Sequence, residues 1–331
     1  YWGCNKKNRW VFWKKESILI VITGAAGFIG FNIAKRLNLM GIEDLILLDD
    51  KEKFPKPKKF LNLKFKEYRH YRDLKNLGNI KYIFHQGACS DTMEYNREFM
   101  MDINFEYSKE ILSIARSSKS KFIYASSASV YGLNEDSQEI QTNEAPLNIY
   151  AESKLLFDQY VMAQDYPAVG LRYFNVYGIG EEDKAKMASM AYKMNEEYVK
   201  SNKISLFKGT GGYKDGEQKR DFIYIDDVVS INMFFMNNSF HDIYNVGTGK
   251  AETFNEIANN IFKYYQDEER NFNYIDMPDY LIPKYQNFTK ANISKLKAAG
   301  YSYNFFSLKE GVRNYLNDLN TSSAWISTKQ L

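Results

Sequence analysis

The chain has 331 residues, 44 % of them hydrophobic and 26 % charged, enough for one large α/β unit or a main domain with a smaller partner. Its 44 Lys and Arg against 41 Asp and Glu leave a net charge of +3, too small to argue for nucleic acid or a membrane surface as a partner. Cys4 and Cys89 form no disulfide framework, which fits a reducing cytoplasm, and no apolar stretch approaches the length of a transmembrane helix.

The first seventeen residues, YWGCNKKNRWVFWKKES, are basic and tryptophan-rich. Followed by an apolar run they mimic a signal peptide. The run ILIVITGAAGFIG is better explained as a buried strand and a glycine turn, so residues 1–17 are expected to be an extension outside the fold.

Ile18–Ile22 is a β-branched run and is predicted to be a strand. Phe28–Met40 has helical spacing, with Gly41 as its stop. Leu45–Leu48 is the next apolar run and ends at Asp49. Tyr82–His85, Phe122–Ser126 and Val169–Tyr173 are predicted as further buried strands, and Glu94–Ser117 and Ala151–Ala163 as helices. Strand and helix alternating in this way imply a parallel sheet covered by helices. Beyond Gly178 the alternation loosens, and Gly209–Gln218 (GTGGYKDGEQ) is predicted to be a loop.

Thr23–Gly30 (TGAAGFIG) lies between the first strand and the first helix. A tight turn needs glycine, close backbone approach to a pyrophosphate leaves no room for a side chain, and a helix N-terminus supplies free N–H groups. With Asp49 and Asp50 ending the second strand, the arrangement predicts a dinucleotide site in which Gly24, Gly27, Phe28, Ile29 and Gly30 form the turn. Asp49 stands where a carboxylate holds a ribose 2′-hydroxyl, which favours NAD. The following basic segment, with Lys51, Lys53, Lys56, Lys58 and Lys59, could instead neutralise the 2′-phosphate of NADP, or be a solvated surface loop.

Tyr150 precedes Lys154 by four residues in NIYAESK. Tyr71/Lys75 and Tyr280/Lys284 share the spacing, so spacing alone does not mark a catalytic pair. Four strings in order supply the context: Thr23–Gly30, Ser126–Gly132 (SSASVYG), Tyr150–Lys154 (YAESK) and Leu171–Gly178 (LRYFNVYG). Together they resemble the extended short-chain dehydrogenase/reductases. Arg220–Val228 (RDFIYIDDV) and Tyr244–Gly249 (YNVGTG) continue the likeness. It implies a Rossmann doubly wound parallel sheet with a smaller C-terminal nucleotide-sugar lobe: residues 18–178 for the dinucleotide, and 179–320 mainly for the substrate, with some return to the sheet at about 220–250. It also singles out Tyr150 and Lys154, which follow the serine strand and open a helix, as the acid–base pair.

Longer strings narrow the resemblance to one branch, the ADP-glyceromanno-heptose 6-epimerases: His85–Thr92, Phe99–Leu112, Asp183–Tyr192, Gln218–Val228 and Lys284–Tyr301. That branch holds NADP tightly and inverts the C6 carbinol of an ADP-heptose for the lipopolysaccharide core. The resemblance therefore implies NADP as cofactor, with NAD the alternative, an ADP-heptose substrate and a homo-oligomer.

An unactivated carbinol C–H is not acidic, so inversion requires hydride removal to a cofactor and return to the other face. Tyrosine, with a free pKa near about 10, is a poor base unless the phenolate is favoured. Lys154 is expected to lower the Tyr150 pKa and to hold the nicotinamide ribose, and Ser127 to hydrogen-bond the substrate oxygen. A second acid–base group is needed for the other epimer. The resemblance places Lys184 there, with Lys186 the competitor and ion pairing with Glu181, Glu182 or Asp183 the ordinary alternative. By the same likeness Gln86, Gly87, Ala88, Cys89 and Ser90 run along the cofactor with Asn104 beside it. Asn175, Val176, Lys186, Lys193, Phe207, Lys208, Gly209, Thr210, Arg220 and Tyr285 fall where the ADP-sugar is gripped. Gln86 stands in place of an acidic residue and Ile179 in place of a proline. His70, His85 and His241 have no metal spacing, and no metal is assigned. Ala128-Ser129 occupies the place of the Asp-Glu pair of a dehydratase. A 4-epimerase shares the mechanism, and a non-catalytic dinucleotide-binding scaffold would have no need of Ser127, Tyr150 and Lys154 together.

Overall fold

A computed structural model describes residues 18–50, 52 and 62–327. The strands, in chain order, are β1 (Leu19–Thr23), β2 (Leu45–Asp49), β3 (Glu67–His70), β4 (Ile80–His85), β5 (Lys121–Ser127), β6 (Ala168–Tyr173), β7 (Asn175–Tyr177), β8 (Ile204–Phe207), β9 (Lys219–Arg220), β10 (Phe222–Tyr224), β11 (Asp242–Val246), β12 (Glu252–Thr253) and β13 (Phe272–Ile275). The helices are α1 (Phe28–Leu39), α2 (Arg97–Met101), α3 (Tyr107–Ser118), α4 (Ile149–Met162), α5 (Met190–Ser201), α6 (Ile225–Asn237), α7 (Phe254–Tyr264), α8 (Ser294–Ala298) and α9 (Leu308–Ser327).

Seven strands form one sheet in the order β11-β6-β5-β4-β1-β2-β3, every pairing parallel. The order reverses between β1 and β4, the switch point beside which a doubly wound sheet binds its ligand. The apolar strand runs explain the two-sided cover. Ile20 and Ile22 face the layer of α1 and α6, with Ile33, Leu37, Val228 and Ile231. Leu19 and Val21, on the opposite face, meet Ile111, Leu112, Phe157 and Val161 of α3 and α4. Burying each such side chain contributes about 1.5–3 kcal/mol. The short pairs β10–β7, β12–β9 and β13–β8 lie outside this sheet, while β11 joins its edge beside β6.

Two features differ from the sequence reading. β3 is an additional edge strand of partly buried EYRH residues; it has no apolar run to announce it. The helix expected over Glu94–Ser117 starts at Asn96, whose side chain accepts the Phe99 N–H. A π-helical turn at Asp102–Glu106 then interrupts it, a geometry frequent at functional sites.

Asp227, near the start of α6, is buried and accepts the Phe306 N–H at 3.0 Å. Burial, with Asp226 and Glu310 nearby, pushes its carboxyl up to about 7. The folded state therefore holds a proton that the unfolded chain releases near pH ~4, so stability is full in acid and falls as pH rises toward 7. Thermal melts from about pH 5.5 to 8 should show this fall, on the order of a few kcal/mol. Asp227→Asn, which keeps the oxygen that accepts from Phe306, should reduce the slope; an unchanged slope would contradict the assignment.

Candidate active site

The glycine turn is forced by close packing. Gly24 has φ +64°, and a Cβ there would lie 2.6 Å from the Gly87 nitrogen; a Cβ on Gly30 would lie 2.3 Å from the Gly24 carbonyl oxygen. Gly27 precedes α1, and no side chain among the described residues caps that helix, so its N-terminus, with Phe28 and Ile29 in the first turn, suits an anion. Asp49, at the end of β2, spends its carboxylate partly on the turn itself: it accepts N–H groups from Ala26 at 2.9 Å and Asp50 at 2.8 Å. Asp50 accepts through its carbonyl from the Tyr68 hydroxyl at 2.7 Å. Lys59 and the other loop lysines, like residues 1–17, lie outside the described residues.

The segment after β4 is fixed by a directional chain of hydrogen bonds. The Gly87 N–H donates to the Thr23 hydroxyl at 2.9 Å, and Thr23 lies 2.7 Å from His85 Nδ1. His85 Nε2 lies 2.8 Å from Ser108, whose hydroxyl donates to the Asn104 carbonyl at 2.6 Å. Because Ser108 donates onward, His85 must carry its proton on Nε2 and accept from Thr23 on Nδ1. Burial, aided by the nearby Lys154 charge, pushes His85 down to about 3, which keeps it in this neutral form.

Asn104, expected beside the cofactor, sits in the π turn with its carboxamide committed to protein. It accepts the Cys89 N–H at 2.8 Å and donates to the Cys89 carbonyl at 2.9 Å and the Ser153 hydroxyl at 3.0 Å. Asn104 thus holds the Gly87–Ser90 segment against the start of α4 rather than reaching outward. Sequence reasoning missed Thr23, His85 and Ser108; the only signal was a polar residue at each end of an apolar strand run. Gln86 accepts the Tyr173 hydroxyl at 3.1 Å, and its Nε2 is buried with no partner among the described residues. A spare donor beside a glycine cradle fits a dinucleotide.

Ser127 ends β5, and Asn148 caps α4 by accepting the Ala151 N–H at 2.8 Å, which sets Tyr150 in the first turn. Burial raises the Tyr150 pKa, and hydrogen bonding with Ser127 opposes the rise. Contrary to expectation, Lys154 is not among the groups that shift Tyr150: burial comes first, with Ser127 opposing it and Cys89 adding to it. The Lys154 ammonium instead donates to the Ala125 carbonyl at 2.9 Å. Lys154 is 4 % exposed, and burial pushes it down to about 8 against the pull of Asp158. Asp158, one turn on, accepts from Tyr124, Ser126 and Arg172 at 3.0, 2.8 and 2.9 Å. Tyr280, from a rival pair, is 71 % exposed, and Tyr71 packs edge-on against Tyr107.

The described residues also form a cavity of about 720 Å³. Asn175, Val176, Lys184, Lys193, Phe207, Arg220 and Tyr285 line it. Arg220 is sandwiched between Phe254 (5.6 Å) and Tyr285 (5.0 Å) and donates to the Lys219 carbonyl. No carboxylate pairs with it among the described residues, which leaves its fork for a diphosphate. Lys208, Gly209 and Thr210 do not line the cavity: they bond Asp276, Asp215 and Asn287 respectively.

The two candidate lysines separate cleanly. Lys184 Nζ lies 5.4 Å from the Phe28 ring, on the cofactor-turn side, and burial first, then Lys193, lowers its pKa while Glu181 opposes. Lys186 points out to pair with Asp91 at 2.7 Å. Between them Ala185 has φ 46°, a costly conformation for alanine that turns the two side chains apart.

A doubly wound sheet, a glycine cradle at its switch point and a buried Ser-Tyr-Lys group define a nicotinamide-dinucleotide-dependent enzyme. The chain belongs to the NAD dependent epimerase/dehydratase family, whose model matches residues 20–247. It is 42 % identical over 324 residues, 93 % of this chain and 100 % of the other, to the ADP-L-glycero-D-manno-heptose-6-epimerase of Brachyspira hyodysenteriae. The crystal structure of the Helicobacter pylori enzyme of that name is 33 % identical with a TM-score of 0.79, covering 92 % of this chain and 97 % of that one. The UDP-glucose 4-epimerase of Thermotoga maritima (22 % identity, TM-score 0.75, covering 92 % and 99 %) shares the fold.

Gly30→Ala should fold yet lose its dinucleotide, since the new methyl would sit on the Gly24 carbonyl. The check is the nucleotide released per chain on denaturation; wild-type occupancy would contradict the packing argument.

Proposed function

We propose that the chain is an epimerase that interconverts ADP-D-glycero-β-D-manno-heptose and ADP-L-glycero-β-D-manno-heptose at C6, supplying heptose for the lipopolysaccharide core. The observation that carries the substrate is the end-to-end likeness to the two heptose 6-epimerases. Ala128 and Ser129, where elimination would need carboxylates, speak against a dehydratase. The working arrangement is a cytoplasmic homo-oligomer, with residues 18–178 binding the dinucleotide and residues 179–320 mainly the sugar nucleotide. Among the described residues no helix is long and apolar enough to cross a membrane.

The bound nicotinamide supplies the place where the C6 hydride rests between the two half-reactions. The protein handles the protons. Tyr150 takes the hydroxyl proton of one epimer, Ser127 donates to the same oxygen, and Lys154 steadies Tyr150's surroundings and meets the ribose. Turning the ketone over moves its oxygen away from Tyr150, which its helix fixes. Lys184, whose burial favours the neutral amine, serves the oxygen in its second position. Arg220, flanked by Tyr285, anchors the diphosphate.

Purified protein given ADP-D-glycero-β-D-manno-heptose should yield both C6 epimers on chromatographic separation, with UDP-glucose unchanged. Turnover of UDP-glucose alone would make it a 4-epimerase. The cofactor is NADP in this reading, because of the lysine-rich loop after Asp49 and the family likeness. Denatured protein should release NADP(H), and recovery of NAD alone would make Asp49 the deciding residue. Tyr150→Phe should keep fold and cofactor but lose about 10²–10⁴-fold in turnover. Lys184→Met should abolish epimerisation of both sugars and leave the cofactor bound; loss in Lys186→Met instead would move the role to Lys186.

A further inference from the structure

The loop from Gly178 to Ser189 carries Lys184 to the cavity, and one side chain closes it. Glu181 is 0 % exposed. Its Oε1 accepts the Gly178 N–H at 3.2 Å and the Ser189 hydroxyl at 2.7 Å, and its Oε2 accepts the Ser189 N–H at 2.6 Å. Its backbone carbonyl accepts the Lys184 N–H at 2.9 Å. Both ends of the loop are therefore tied to one carboxylate, and Lys184 hangs from the same residue. Three donors converge, so the position needs an acceptor-only group. A carboxamide would set its own N–H₂ against one of them. Capping is not the reason, because the Ser189 hydroxyl itself caps α5 by accepting the Tyr192 N–H at 3.2 Å.

We propose that Glu181 is a positioning residue for epimerisation, clasping the loop that presents Lys184 and setting its carboxylate in the same loop as that lysine. The proposal rests on Lys184 being the second acid–base group. The titratable groups around Glu181 are Lys184 and Glu182 of its own loop, Tyr192 and Lys193 of α5, and Tyr315 of α9. Lys184 and Lys193 repel each other, and Glu181 draws both toward the charged form. Burial pushes the other way for each lysine. Removing the Glu181 charge must then make Lys184 easier to deprotonate, whereas a purely structural glutamate would leave its titration unmoved.

The test is the acetylation of Lys184 by acetic anhydride as a function of pH, read by mass spectrometry on the holoenzyme, because only the neutral amine reacts. In Glu181→Gln the half-labelling pH should fall by about one unit, with kcat down about tenfold or more as the loop loses its register. Ser189→Ala keeps the charge and removes one donor: its half-labelling pH should match the wild type while kcat drops. An unchanged labelling midpoint and kcat in a folded Glu181→Gln protein would overturn the proposal. If that variant fails to fold, wild-type kcat in Ser189→Ala would overturn it. Normal epimerisation by Lys184→Met would instead sink the second-base reading, a separate failure, since the labelling experiment does not depend on turnover.

Discussion

The constraint on which the site depends is the close approach of two chain segments, the end of β1 and the end of β4. Thr23 pairs with His85 in the sheet, and one residue further the Gly24 backbone rests on Gly87 with no room for a Cβ. That approach places the helix N-terminus and the Gly87–Ser90 segment around one point at the switch of strand order. It also creates a difficulty: a hydroxyl is now buried, and a backbone N–H half-buried, beside apolar strands. The chain from Gly87 through Thr23, His85 and Ser108 to the Asn104 carbonyl meets it, each group donating to the next. An unsatisfied member would cost about 1–3 kcal/mol, so the chain fixes geometry as well as satisfying polarity. The π turn makes it possible by letting Asn104 offer its carbonyl to Ser108 and its carboxamide to Cys89 and Ser153.

Helix α4, which carries Tyr150 and Lys154, is held by a second buried network. Asp158 and Arg172 form an ion pair in which both side chains are 1 % exposed, with Tyr124, Ser126, Tyr131 and Glu144 completing the contacts. Such a pair adds little net stability against an apolar core, but breaking it costs about 3–5 kcal/mol because a charge is stranded. Its effect is specificity of placement: α4, β5, β6 and the turn after Ser127 are locked in one register. The negative charge of Asp158 also works against the burial of Lys154, so the network that positions the lysine helps keep it cationic.

Much of this was legible in the sequence because it rests on local chemistry. The glycine spacing, the apolar strand runs and the Tyr150/Lys154 pair behind a serine strand each carry their cause in neighbouring residues. What stayed hidden depends on distant partners. Nothing near Asn104 in the chain reveals that its carboxamide is taken up by Cys89 and Ser153. The role of His85 appears only when Thr23 and Ser108 arrive from other elements. Lys208, Gly209 and Thr210, expected by likeness where the ADP-sugar is gripped, bond Asp276, Asp215 and Asn287, partners that the sequence does not announce. β3 was invisible because an edge strand of partly buried polar residues has no hydrophobic period to read.

The lysine pair shows where sequence spacing stops and backbone begins. Lys184 and Lys186 are two residues apart and chemically identical, so composition cannot rank them. In an extended segment, side chains at i and i+2 share a face, and both would have reached the same environment. The positive φ of Ala185 breaks that equivalence. One lysine is turned over the Phe28 ring into a partly dry site, where burial lowers its pKa, and the other into solvent, where Asp91 raises it. Alanine tolerates that conformation only where surrounding bonds over-determine it. The Glu181 carboxylate bonds both Gly178 and Ser189, one on each side of that peptide. The different surroundings of the two lysines thus meet at a positive-φ peptide, within a loop whose two ends share one carboxylate.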